Sequence, residues 1–527
     1  MQYTNVTFEE QTRNELKEGA RIVADAVRVT LGPRGSNVAI DGGFGIPIIT
    51  NDGVSIARAI NLENNFNNMG ASILKEISTK TNNKAGDGTT TSIVIANSII
   101  QEGFKLIEEG KNPVLLKKGI ECATNDVLVL LSKLSRGVSR PKDILDVATI
   151  SSESKELGKV IADTIEKVGK DSIVTVEYSN TIGISSEVKE GMEVDAGYLS
   201  PYMVTDHKKQ EASFDNVMVL VTDKNITQVK SIIPIIEKLK GQNIDNLVVF
   251  AEGVDGEALA ALVANKIKGT FNTLAVNIPG YGETKVNNMN DIAVMVGAKV
   301  LSDATDNNIE QADIADLGSA DKIVSTQDKT LITGGKVKED ELNDLLAMID
   351  SQIEGEDRPI ENGRMKERMA KLKQGVAVIK VGAPTETEMK YLADKIEDAV
   401  HATKAAIEEG IVAGGGATLL EIAERMEKES MGMDEHDGYN LVVNALRKPF
   451  AQILENAGVK DCKVITGKVI DIKYPHGYDA SGESITDMIE AGIIDPVKVT
   501  RNAIINASSA AAVLLTTKVA IAQYEVK

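Results

Sequence analysis

Ala85-Gly86-Asp87-Gly88-Thr89-Thr90-Thr91-Ser92 stands between two runs of helical periodicity, and the rest of the chain is read outward from it. Before it, Phe66, Met69, Ile73 and Ile77 recur at helical spacing, with Gly70 and Leu74 on the same face. After it, Ile93, Ala96, Ile100 and Phe104 repeat the pattern. A helix that starts at Gly88 or Thr89 aims its first N–H groups and its positive dipole end at an anion. Gly86 and Gly88 let backbone come close, and the Thr hydroxyls can bind phosphate oxygens. Asp87 offers the hard oxygen that Mg²⁺ takes beside phosphate. The same residue types also make an ordinary Asp/Thr helix cap, and spacing alone favours that reading.

Two other turns have a similar character. Thr30-Leu31-Gly32-Pro33-Arg34-Gly35 is glycine-rich but is not followed by the Gly-Lys-Ser/Thr of a P-loop. Ala413-Gly414-Gly415-Gly416-Ala417 opens a helix whose face carries Leu420, Ala423 and Met426. Each could cradle a phosphate or ribose, and each could be a turn without a ligand. Further back, Pro384 and the pair Thr385 and Glu388 predict a helix start. The stripe of that helix is Met389, Leu392, Ile396, Ala399, Val400, Thr403 and Ile407, which places Asp398 opposite it. A solvated carboxylate and a general base that orients water toward a γ-phosphate both fit that position.

At 527 residues the chain calls for roughly two to four domains. Its start, to about Ser135, and its end, from Glu409, read as helical, and Ser508–Ala522, apolar almost all round, predicts a buried helix. The middle alternates. Val217–Thr222, Leu247–Ala251 and Thr273–Ile278 have the length and valine content of buried strands, with helical patterns at Thr227–Lys240 and Gly256–Lys268 between them. The net charge of −20 argues against nucleic acid or an anionic membrane surface as partner. Two cysteines make no disulfide framework, no apolar run approaches a membrane span, and a cytoplasmic location is expected.

The segments TLGPRGSNVAID from Thr30, ITNDGVSIARAI from Ile49 and AGDGTTTSIVIA from Ala85 resemble those of the GroEL-type group I chaperonins. So do EGMEVDAGYLSPYMVTD from Glu190, GVAVIKVGAPTETEMK from Gly375, EDAVHATKAAIEEGIVAGGGATLL from Glu397 and GIIDPVKVTRNAI from Gly492, in the family's order along nearly the whole chain. The resemblance implies a multidomain α and α/β chaperonin fold. A helical equatorial domain would take residues 1–135 and 409–527, a small intermediate hinge domain 136–189 and 375–408, and an α/β apical domain 190–374. It implies an ATP-driven chaperone that captures unfolded polypeptides on an apolar rim and promotes their folding in the cavity of a seven-subunit ring. The rings would be stacked in pairs and served by a GroES-type co-chaperonin. The alternative is a passive holdase ring with weak ATPase.

Carried over residue by residue, the nucleotide contacts fall on Thr30, Leu31, Gly32, Pro33, Asn51, Asp87, Gly88, Thr89, Thr90, Thr91, Gly415, Asp479, Ala480, Ser481 and Asp495. Asp87 would bind Mg²⁺, with K⁺ as an optional further cation, and Asp52 and Asp398 would serve hydrolysis. Asp398 would reach the nucleotide when its domain swings down. Polypeptide capture would fall on Tyr198, Tyr202, Met203, Ile233, Ile236, Leu259, Val263 and Ala264, residues that could equally face the apical core. The chain departs from the family where Asn51 replaces a lysine and where Asp479-Ala480-Ser481 replaces Asn-Ala-Ala. The first change removes a positive charge beside the phosphates, which is expected to lower ATP affinity or turnover.

Overall fold

The computed structural model describes the chain except for residues 1, 42–46, 170–171, 180, 207–208, 303–307, 356–357, 374, 430–434 and 526–527. It resolves into two compact units. One comprises Met1–Thr164, Val176–Ser185 and Val381–Lys527, and the other Ile165–Thr175 and Ser186–Lys380.

The first unit is helical. Glu9–Arg28, Asn65–Ala85, Thr89–Glu108, Pro113–Leu134, His436–Leu446 and Val497–Leu515 pack around one core. Leu16, Leu74, Ile93, Ile100, Phe104, Leu131, Leu446 and Ile504 fill that core and are all but sealed from solvent. The helix Thr89–Glu108 runs through its middle and buries Ile93, Val94, Ile95 and Ala96 in succession. A helix apolar all round has to be surrounded.

The expected helix over Ser508–Ala522 is corrected. The helix ends at Leu515, and Val519–Glu525 is a strand paired antiparallel with Gln2–Phe8. From Val519 the pattern changes period: Val519 and Ile521 are 42% and 60% exposed, while Ala520 and Ala522 are buried. Alternation of that kind belongs to a strand with one covered face. Continuous apolarity hides the change, because a short apolar run does not distinguish the two forms.

The second unit is built on a mixed sheet. Its strand order is Asn272–Asn277, Asn246–Ala251, Ala212–Thr222, Gly318–Ser325, Thr330–Gly335 and Gly191–Val194, with Val300–Leu301 also pairing the third of these. The first three strands run parallel and the next three are antiparallel. Leu247 to Ala251 are buried one after another, as a parallel strand covered on both faces requires. The three strands read from the sequence thus stand side by side. The helix expected over Thr227–Lys240 is shorter. Asn225–Ile226 is a strand, Val229–Ser231 a single 3₁₀ turn, and the α-helix runs Ile233–Gly241. Pro234 sits in its first turn, where the missing N–H costs nothing and the ring disfavours helix before it. The helix Gly256–Ile267 forms as expected.

Candidate functional site

The turn around Asp87 is fixed by two left-handed glycines. Gly86 ends one helix at φ +70° and Gly88 begins the next at φ +80°. Neither position has room for a side chain. A Cβ on Gly86 would fall 2.1 Å from His401 Cβ, and one on Gly88 2.7 Å from Val499 Cγ1. The helix Thr89–Glu108 receives no side-chain cap. Asp87 instead spends Oδ1 on the N–H of Gly88 at 2.5 Å, and its Oδ2 accepts from Ser151 Oγ at 3.3 Å. The capping alternative therefore does not account for Asp87, and the first turn keeps its polarity for an anion.

A second helix start converges on the first. Asp52 caps Gly53–Ala59, accepting from Val54 and Ser55 N–H at 3.1 and 2.9 Å. A Cβ on Gly53 would lie 2.6 Å from Thr90 Oγ1 and 2.8 Å from Thr89 Oγ1, so only glycine lets the two termini meet. Thr30 Oγ1 stands 3.3 Å from Thr90 Oγ1 and donates to Val27 O at 2.9 Å. Thr30, Asp52 and Asp87–Thr91 thus come together from three segments.

Asp398 joins them. It lies half-buried on the helix Glu386–Glu409, which Thr385 caps as expected. Burial pushes its carboxyl well above the usual range, and the charges of Asp52 and Asp87 push it further. Asp398 therefore stands within electrostatic reach of both Asp52 and Asp87. Asp87 is itself raised by burial, with Asp52 and Glu153 adding to the effect. Asp495, on the strand Ile494–Pro496 against Val412, is raised to about 7 by burial and by Asp87. Its Oδ1 would lie 2.9 Å from a Cβ on Gly414, in the turn that carries Gly415. Asp87 thus sits among carboxylates whose charges act on one another, Asp52 and Asp87 on Asp398 and Asp87 on Asp495, and crowding of that kind is the condition a cation relieves. Among the described residues no three His, Cys, Asp or Glu side chains form a ready-made metal cage. Such a site suits Mg²⁺, which is held by one or two carboxylates and completes its shell with phosphate and water.

The remaining residues line one side of an apolar cluster. Leu31 packs with Phe450, Ile453, Tyr478 and Ala480. A Cβ on Gly32 would press on Ile453 at 3.2 Å. Asp479 accepts from Ser481 N–H at 2.9 Å in the turn of the hairpin His476–Asp479 and Ser484–Asp487. Pro33 and Ser481 are exposed beside it. Asn51, where the resemblance implies a lysine, donates its side-chain amide to Glu153 Oε1 at 3.2 Å. Ser151 and Glu153 were not legible in the sequence. They are ordinary polar residues at a helix end, 64 and 102 positions from Asp87 and Asn51.

In the second unit the expected rim residues divide. Tyr202 is 67% exposed and Ile233 40%, and Ala264 is also exposed. Ile236, Leu259, Val263 and Tyr198 are half-buried against the core. Met203 is corrected: it is wholly buried, with its sulfur facing the N–H of Ala275 at 3.3 Å. The 3₁₀ turn Pro201–Met203 turns Tyr202 outward and Met203 inward.

The TCP-1/cpn60 chaperonin family model matches residues 23–523. The chain belongs to that family. Among solved structures, the chaperonin gp146 of bacteriophage EL 2 (Pseudomonas aeruginosa), crystallised in the presence of ATP-BeFx, superposes with a TM-score of 0.67. The two are 20% identical, and the match covers 98% of each chain. The chaperonin fold expected from the sequence, multidomain with α and α/β parts, is therefore the fold found, and the coarse function is that of a cpn60-type chaperone. No helix among the chaperonin's described residues is long and apolar enough to cross a membrane.

Proposed function

We propose that this chaperonin is an ATPase folding machine whose nucleotide binds where Thr30, Asp52, Asp87–Thr91 and Asp495 converge. The observation that carries the reading is Asp398, held within reach of the charges of Asp52 and Asp87 beside an uncapped helix start. The first turn of Thr89–Glu108 and the Thr hydroxyls bind phosphate oxygens. Asp87 is the residue to hold Mg²⁺, which when bound neutralises charge on the phosphates. Asp398, its carboxyl pushed well above the usual range by burial and by the neighbouring carboxylates, takes the proton of the attacking water, and Asp52 orients that water. Leu31, Gly32, Pro33, Gly415 and the turn Asp479–Ser481 would hold the base and ribose of the nucleotide.

The three-part division into equatorial, intermediate and apical segments belongs to this proposal, as does assembly into seven-membered rings. The exposed members of the rim, Tyr202, Ile233 and Ala264, with Ile236, Leu259 and Val263 behind them, suit capture of extended apolar chains with little side-chain specificity. A GroES-type co-chaperonin would compete for the same groove. Purified protein should release phosphate from ATP with Mg²⁺ present and stop when the metal is chelated. Retention of denatured protein without any hydrolysis would select the holdase reading, which the uncharged Asn51 already favours in part.

A further inference from the structure

The helix Pro141–Ser152 ends on Glu153, a residue with a Cβ held at φ +53°. Glycine takes that left-handed end position without strain, and glutamate does not. The side chain explains the exception. Its Oε1 accepts from Asn51 Nδ2 at 3.2 Å, and its Oε2 pairs with Lys395 Nζ at 2.5 Å. The Lys395 side chain is only 10% exposed, and its ammonium lies 5.3 Å from the centre of the Tyr391 ring. Two residues before Glu153, Ser151 touches Asp87.

The sequence positions of these partners matter. Asn51 immediately precedes Asp52, and Lys395 lies one helical turn before Asp398 on the same face. A single carboxylate therefore joins the two segments that carry the proposed hydrolytic residues. Lys395 also offsets the negative charge that Glu153 adds near Asp87. We propose that Glu153 and Lys395 are positioning residues: with Asn51 they clamp the Asp398 helix in register with the Asp52 loop, and so set turnover rather than nucleotide affinity. The inference rests on the ATPase reading and deepens it.

The full-length ring is assayed with Mg²⁺ and ATP. Glu153→Gln and Lys395→Met should each lower kcat about tenfold, since a misplacement near 1 Å is enough to cost that much, with KM changed less than about twofold. The exchange Glu153→Lys with Lys395→Glu should restore most of the rate, because the Asn51 amide can turn its oxygen to the new ammonium. Glu153→Gly separates the clamp from a merely structural role. It should raise the melting temperature by relieving the left-handed strain, yet lower kcat like Glu153→Gln. An unchanged kcat in Glu153→Gly and Glu153→Gln, or a loss confined to KM, overturns the proposal. So does an exchange variant no faster than either single variant. If wild-type rings hydrolyse nothing, the ATPase reading is what fails. The clamp is then judged by amide hydrogen exchange over residues 386–409, which Glu153→Gln must accelerate for it to stand.

Discussion

The proposed nucleotide site and the proposed capture rim lie in different compact units and are made of opposite materials. The first gathers carboxylates and hydroxyls on glycine-rich turns whose geometry leaves no freedom. A β-carbon on Gly53, Gly86 or Gly88 would fall within 3 Å of a neighbouring side-chain atom. The rim is apolar side chain on two short helices and a 3₁₀ turn, half of it sunk in the core. Chemistry that must bring charges together leaves a trace in residue type. A surface that binds loosely differs from a core only in exposure, and exposure is not written in residue type.

The comparison breaks first at Asp398. Asp398→Ala should slow hydrolysis about 10²-fold or more while ATP binding stays near wild type, as expected for loss of a general base. Removing one member of a repelling cluster should not lower the melting temperature, and in metal-free buffer should raise it. Wild-type turnover in the variant would return Asp398 to the status of an ordinary carboxylate. Loss of binding and of stability together would make it a structural residue.

The rim is tested by pairing two kinds of substitution in the second unit. Ile233→Ser with Leu259→Ser should abolish retention of a denatured test protein and leave ATPase intact. Met203→Ala should instead destabilise the fold of that unit. It removes a wholly buried side chain, so it should cost about 2–5 kcal/mol of stability and act on capture only through the fold. Thermal unfolding monitored beside a retention assay checks both. If the Ser pair melts the unit and Met203→Ala spares it, the assignment of rim and core has been made the wrong way round.

How much was legible follows the same division. The turn at Ala85–Ser92, the cap at Thr385 and the three parallel strands were readable because periodicity and turn chemistry are local. Periodicity placed Asp398 opposite its stripe, but its meeting with Asp52 and Asp87 was implied only by the resemblance, since they reach it through the fold. The rim's residue types were readable while their exposure was not: Met203 and Tyr202 are adjacent and apolar-bodied, and a three-residue turn sends one in and one out. Ser508–Ala522 misled for a related reason, because unbroken apolarity conceals where a period of 3.6 gives way to 2. Glu153 had no signal at all. A strained φ and two partners far along the chain belong to the folded structure alone.

The smallest effect tests whether the carboxylate cluster is as crowded as its surroundings imply. Asp495 is held at about 7 by burial and by the charge of Asp87, against about 3.9 for an aspartate in an unfolded chain. Between those values the folded protein binds a proton that the unfolded chain does not. Folding stability without metal or nucleotide must therefore fall as pH rises through 7. From about pH 6 to about pH 8 the loss from this one group is about 1.4 kcal/mol. Asp495→Asn removes the titration, so its melting temperature should match wild type only near pH 4, exceed it at pH 6 and exceed it further at pH 8. Mg²⁺ with ATP should narrow the gap by supplying the missing positive charge. A difference between the two proteins that does not change with pH would mean that Asp495 is already ionised in comfort, and that the site is less shielded than the rim it has been set against.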